Sequence, residues 1–204
     1  KRQYMRNGMA PNNSQGKSGT ANFLDGGVKG SLNVDMGRGH AFSIGAGYEL
    51  RAPMANTAFI SPEISNDFVT NLKNERIFSS EFSYQYRNAW LSANVSGYYS
   101  RLENVTEWQN FYNDDENSFT YVSMTGLKKE YYGVEVGAKI KLTSWLDLKT
   151  LGAMSEAKNI NNVNAVYMLS KSAEVYQDKA YVMNMRESGT PLTVGSICLL
   201  YTSP

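Results

Sequence analysis

Between residues 28 and 50 apolar and polar side chains alternate almost without a break. This period of two constrains the fold more than any other feature of the chain. Val28, Gly30, Leu32, Val34 and Met36 take one parity, and Lys29, Ser31, Asn33 and Asp35 take the other. After Gly37-Arg38-Gly39-His40 the pattern resumes, with Phe42, Ile44, Ala46 and Tyr48 set against Ser43, Gly45, Gly47 and Glu49. Such strands belong to a sheet with one oily and one wet face. What the oily face meets, a protein core or lipid, decides what the chain can do.

Further strand-like segments are expected near 25–36, 41–51, 76–87, 90–101, 131–142, 146–156, 179–187 and 192–197. Connections at 37–40, 88–89, 143–145 and 188–191 are short, whereas those at 52–75, 102–130 and 157–178 are long. Short and long connections alternate strictly. In an up-and-down antiparallel meander every tight turn then falls at one edge and every long loop at the other, as in outer-membrane barrels. Sandwiches use Greek-key crossings instead, and loops this long are uncommon in compact soluble domains.

Composition agrees with strands. There are 14 tyrosines, 17 glycines and 5 prolines, and the net charge of +1 gives no pull toward nucleic acid. Mean hydropathy is −0.43, and no apolar run approaches the roughly 20 residues of a transmembrane helix. A barrel escapes that test because lumen-facing residues dilute the lipid-facing ones.

Charge follows the same parity. Lys29, Asp35, Glu49, Glu81, Arg87, Glu135, Lys139, Lys141, Asp147 and Lys149 all lie opposite the oily residues, with exceptions only at the strand ends, at Arg101, Glu156 and Glu187. A Lys or Arg on the lipid face at mid-bilayer costs about 2–4 kcal/mol, and less toward the interfaces. Tyr48, Tyr84, Tyr86, Trp90, Tyr98, Tyr99, Tyr131, Tyr132 and Trp145 sit near strand ends or turns. Headgroup-level aromatics and ordinary cross-strand pairs both account for that placement.

The stretch YELRAPMANTAFISPEISNDFVTNLKNERIFSSEFSYQY, residues 48–86, resembles TonB-dependent outer-membrane receptors through Arg51-Ala52-Pro53 at the end of one strand and Asn71-Leu72-Lys73-Asn74-Glu75 at the start of the next. NDDENSFTYVSMTGLKKEYYGVEVGAKIKL and RESGTPLTVGSI are similar to later hairpins of the same receptors. RNGMAPNNSQGKSGTANFLDGGVKGSLNV is similar to the preceding loop and strand, and the flavour is closest to receptors of Bacteroidetes-type bacteria. The resemblance implies a barrel of about 22 strands around a plug domain, bacterial outer-membrane localisation, and energised uptake through TonB of the inner-membrane complex. It also implies contact with outer-membrane lipid and with a small-molecule or oligomeric nutrient ligand. No plug, TonB box or signal peptide is recognisable in the sequence.

On this reading the fold is all-β, an up-and-down antiparallel meander of about eight long strands forming an incomplete piece of a transmembrane β-barrel. The opening Lys1-Arg2-Gln3 and the closing CLLYTSP resemble translated sequencing-adapter remnants. They divide the chain into remnants at 1–3 and 198–204 around a partial receptor barrel at 4–197, and leave Cys198 outside the protein.

Position on the wet face selects Lys29, Asn33, Asp35, Glu49, Glu81, Gln85, Asn94, Glu135, Lys139 and Lys141 as lumen-facing candidates. Trp108, Phe111, Tyr112, Asp114, Asp115, Glu116 and Phe119 cluster around the middle of the longest expected loop, as candidate ligand-contact residues.

Other motifs lack what their chemistry needs. PNNSQGKS at 11–18 imitates a P-loop, but Pro11 replaces its first glycine and neither strand nor helix flanks it. The Asp114-Asp115-Glu116 run lacks the spaced oxygens and glycine of a calcium loop. His40 is the only histidine and Cys198 the only cysteine, so neither a triad nor a zinc site is indicated. No enzyme activity, cofactor or metal is expected. A secreted soluble β-sandwich, such as a carbohydrate-binding module, and a passive porin or adhesin barrel remain the alternatives.

Overall fold

The computed structural model describes residues 1–7, 16–172, 174–189 and 191–201. Residues 11–15 of the P-loop look-alike at 11–18 and the last three residues of the expected adapter remnant therefore lie outside the described residues. Eleven strands are formed: β1 (Arg2–Tyr4), β2 (Ala21–Phe23), β3 (Gly26–Gly37), β4 (His40–Arg51), β5 (Glu75–Arg87), β6 (Leu91–Asn113), β7 (Ser118–Lys141), β8 (Leu146–Asn159), β9 (Val163–Leu169), β10 (Val175–Ala180) and β11 (Thr193–Tyr201).

β1 and β2 make a small separate ribbon, and β3 to β11 make one antiparallel sheet. Each strand from β3 to β7 pairs with its sequence neighbours. β8 then lies beside the lower half of β7 and β9 beside its upper half, so the two act as one interrupted strand. β10 and β11 return in the same way along β9 and β8. The result is a seven-position meander, open at both edges.

Tight turns join β3 to β4, β5 to β6 and β7 to β8 at one end. The first needs glycine: Gly39 has a positive φ of 84°, and a Cβ there would fall 1.7 Å from the Arg87 carbonyl oxygen. That close approach lets the Arg87 N–H donate to the Gly39 carbonyl at 2.7 Å, tying adjacent turns together.

The other end departs from expectation. The segment 102–130 is not a loop but the continuation of β6 and β7, strands of 23 and 24 residues. They are joined by a turn at 114–117. The segment 157–178 likewise contains the end of β8, all of β9 and the start of β10, while 181–187, expected as strand, has only an isolated bridge at Arg186. Backbone groups above the other turns are satisfied by hairpins rising beyond the common sheet, which local alternation alone does not reveal. Of the three long loops expected, the β4–β5 connection stays irregular, with one bridge between Phe59 and Phe68, whose rings stack. β11 crosses the boundary expected after Ile197, with Cys198 opposite Lys149.

Register keeps one parity across every ladder. Val28↔Tyr48↔Phe78, Leu32↔Ile44↔Phe82↔Gly97↔Val134↔Met154 and Leu91↔Ile140↔Leu148↔Leu199 share a face. Each wall position presents a nine-residue run without charge on that face: Val28–Met36, Phe42–Leu50, Phe78–Tyr86, Leu91–Tyr99, Tyr132–Ile140, Leu146–Met154 and Thr193–Tyr201. Nine residues extend about 27 Å, or about 21 Å of height at a barrel tilt near 40°, close to the apolar band of an outer-membrane wall, about 25 Å tall.

Among the described residues no second layer covers this band. Val28 is 73% exposed, Ile44 47%, Met154 65% and Ile197 79%, so the sandwich alternative has no core to offer these side chains.

Gly39→Val is expected to abolish assembly of the sheet, whereas Gly30→Ala, with nothing within 4 Å of the added carbon, is expected to be neutral. Heat-modifiable mobility of the full-length protein on unheated gels distinguishes the two outcomes.

Candidate functional site

Two surfaces can meet a ligand: the wet face of the wall and the extension above it. All ten lumen candidates fall on the wet face. Asn33, Ser43, Ser83, Ser96 and Glu135 form one cross-strand row, and Asp35, Ala41, Gln85, Asn94 and Gly137 form the next. Lys29 lies in a row with Gly47, Ser79 and Ser100, and Glu81 in one with Gly45, Tyr98 and Gly133. Glu49 faces Ile77 higher up, while Lys139 and Lys141 lie near the turns, where Lys139 pairs with Asp147 at 2.8 Å.

The face is shallow because small residues alternate with longer polar ones. A Cβ on Gly133 would meet the Tyr98 ring at 2.8 Å, and one on Gly137 would meet Asn94 Oδ1 at 2.6 Å. Glycine thus lets these two polar side chains lie flat across the neighbouring strand. Lys29, Ser31, Gly45, Gly47, Ser79, Glu81 and Tyr98 border a groove of about 490 Å³ there.

Above the band the parity changes. The β6–β7 register shifts between Leu102 and Val105 and again between Val105 and Glu107. Asn104 and Gly126 take positive φ values of 60° and 78° at these shifts. Each strand gains one residue, as a bulge does. Even-numbered Leu102 and odd-numbered Val105 consequently join one apolar cluster with Leu127, Met124 and Val122. The opposite face carries Tyr121, Met168 and Trp108 and is covered by Ile60 and Ile64 of the β4–β5 connection. Ser123 Oγ donates to the Ile60 carbonyl at 2.7 Å and the Tyr121 hydroxyl donates to Glu63. Burial and that carboxylate push the Tyr121 hydroxyl up to about 12, so it stays a donor at physiological pH.

The connection itself is pinned by Arg6. Its guanidinium donates to Asn66 Oδ1 at 2.7 Å and to the Pro62 and Ser65 carbonyls, and lies 4.4 Å from the Phe59 ring centroid. Burial lowers the Arg6 pKa.

A cleft of about 1040 Å³ opens on the inner side of the extension, with Arg51, Glu75, Glu107, Gln109, Lys129 and Asn159 among its polar lining. At its centre the Lys129 ammonium, its side chain 6% exposed, donates to both Glu107 and Glu187. Burial draws this pKa down, but the hydrogen bonds and attraction of the two carboxylates outweigh it and leave the pKa raised. Glu187 therefore faces inward, a correction to its expected place among the exceptions on the oily face. Arg51 Nε and Nη2 both donate to buried Glu75, at 2.9 and 2.7 Å. Tyr167 and Tyr176 stack nearly parallel with centroids 5.0 Å apart.

The seven candidates around 108–119 are strand and turn residues, not a loop. Trp108 borders the cleft and packs on Tyr121, with centroids 6.2 Å apart. Phe111, Tyr112 and Phe119 stand exposed near the tip, the last two edge to face. Asp114, Asp115 and Glu116 make the turn, where Asn113 Oδ1 accepts from the Asp115 and Glu116 N–H groups and Lys171 pairs with Glu116 at 2.6 Å.

Lys129, Glu107, Glu187 and Asn159 were not among the candidates. Period-two alternation is lost over 105–113, where Val105, Glu107, Gln109 and Phe111 share one parity, and the shifts at Asn104 and Gly126 reset the faces. His40 opens β4 with Nδ1 2.6 Å from the Tyr84 hydroxyl. Among the described residues no group of three His, Cys, Asp or Glu could hold a metal ion.

The family model for TonB dependent receptor-like, beta-barrel proteins matches residues 10–192. No curated protein and no solved structure matches the chain.

Lys129→Met should leave Glu107 and Glu187 facing each other and lower stability by about 3–5 kcal/mol. Adding Glu107→Gln and Glu187→Gln should recover most of it, as read from denaturant unfolding of the detergent-solubilised receptor.

Proposed function

The chain belongs to the TonB-dependent receptor β-barrel family, and on that premise we propose that it forms part of the wall of an outer-membrane transporter that captures a scarce nutrient and passes it inward by energy-coupled gating. The observation that carries this reading is the uncharged outward run repeated at every wall position with no layer over it. A bilayer is the partner that such a surface fits.

In this reading the tight turns face the periplasm and the β6–β7 hairpin rises outside. Phe111, Tyr112, Phe119 and the turn Asp114–Glu116 meet ligand first. The inner cleft above the band then holds it through amide, aromatic and ion-paired groups. Lys29, Asn33, Asp35, Glu49, Glu81, Gln85, Asn94, Glu135, Lys139 and Lys141 line the lumen below and face the plug. The work is binding and gating, without bond-making in the substrate.

Ile44→Lys should cost about 2–4 kcal/mol in wall stability, whereas Ser43→Lys on the next residue should be tolerated. Equal tolerance of the two in a membrane-assembly assay would contradict the lipid-facing assignment. In the intact receptor, deleting TonB should abolish uptake while leaving surface binding of the nutrient unchanged. Radiolabelled uptake and binding measured on the same cells separate the two.

A further inference from the structure

Outward-facing charge on the described wall strands gathers at the rim immediately above the apolar band. Arg76, Arg101, Glu103, Glu130, Glu156 and Lys158 carry it, on four adjacent wall positions, with Arg186 bridged beside Lys158. Lys128 shares the parity of Glu130 on β7. Five cations thus meet three carboxylates, which leaves a net charge of +2 on this face.

The ion pairs are exposed, and Glu103 is shared between two guanidinium groups. Arg101 lies 3.1 Å from Glu103 and 3.9 Å from Glu130, Arg76 lies 4.0 Å from Glu103, and Arg186 lies 3.3 Å from Glu156. Arg76 and Arg186 keep more than half of their side-chain surface exposed, at 55% and 57%. Exposed pairs of this kind hold each other weakly and leave guanidinium N–H groups free for a further acceptor.

The level of the rim is fixed independently. The Tyr99 hydroxyl donates upward to Glu130 at 3.0 Å and the Tyr132 hydroxyl to Glu156 at 2.8 Å, while their rings close the top of the apolar band. Tyrosines oriented in this way, ring in hydrocarbon and hydroxyl among charges, mark the headgroup layer.

We propose that this rim is a seat for lipid headgroups of net negative charge in the surrounding leaflet, with Arg76, Arg101 and Lys158 supplying the contacts to their phosphates. Guanidinium groups bind phosphate oxygens through paired N–H donors. The seat anchors the wall at a set depth and draws an annulus of anionic lipid to this arc of the barrel.

The inference rests on the membrane-spanning reading of the wall. Its test uses the full-length receptor, purified in detergent and offered equal amounts of phosphatidylglycerol and phosphatidylcholine, with retained lipids counted by native mass spectrometry. Preferential retention of phosphatidylglycerol is expected. Arg76→Gln, Arg101→Gln and Lys158→Gln should each lower it, by about fivefold per cation, and the inward Lys139→Gln should not. Glu103→Gln with Glu130→Gln should raise it by freeing the guanidiniums, which a merely structural role for the rim would not produce. Equal retention of both lipids, loss of preference only in Lys139→Gln, or displacement by excess inorganic phosphate would overturn the seat. A receptor that retains neither lipid would overturn the spanning reading and this inference with it.

Discussion

The structure depends on one constraint: every backbone N–H and C=O in the wall must find its partner on a neighbouring strand, because neither hydrocarbon nor a second layer can supply one. That requirement locks the register of seven wall positions to each other. Once Val28 faces outward beside Tyr48, the ladders carry the same choice to Leu199 beside Leu148. A slip by one residue at any ladder would turn a whole strand over and place Glu81 or Lys139 against lipid. The uncharged band is therefore a collective property, and no single strand of twelve or so residues could enforce it alone.

The same constraint explains why the wall changes character where it leaves the band. Above Tyr99 and Tyr132 the uncharged outward run ends, and the β6–β7 ladder bulges at Asn104 and Gly126. These bulges turn the inner face from charged and serine-rich to apolar, so that Leu102, Val105 and Leu127 can pack as a core. That core in turn buries Lys129, which survives there because Glu107 of β6 and Glu187 of the β10–β11 connection both reach it. A charged cluster set in an apolar lining gives the cleft fixed polar groups in a low-dielectric setting, the condition under which a polar ligand is recognised by placed hydrogen bonds.

The wet and oily faces solve different problems with the same residue types. Tyrosine on the outer face ends the band and reaches up to a carboxylate, as Tyr99 and Tyr132 do. Tyr98, one residue away from Tyr99, lies flat over Gly133 on the inner face and roughens a surface otherwise made of serine and glycine. The Arg6 guanidinium, caged by carbonyls and Phe59, serves neither face and instead ties the N-terminal segment to the β4–β5 connection.

Read by itself, the sequence determined the two-faced sheet, the tight turns at 37–40, 88–89 and 143–145, and the side of the wall on which Lys29, Glu81, Glu135 and Lys139 stand. Period-two alternation is written in each strand's own residues, so it is legible one segment at a time. Only the tertiary structure decided that 102–130 is a hairpin and that Glu187 turns inward to Lys129, 58 residues away. A bulge resets the parity on which the local pattern relies. The partners that make the extension worthwhile, Ile60 against Tyr121 and Val163 against Met124, come from distant segments whose meeting no local pattern records.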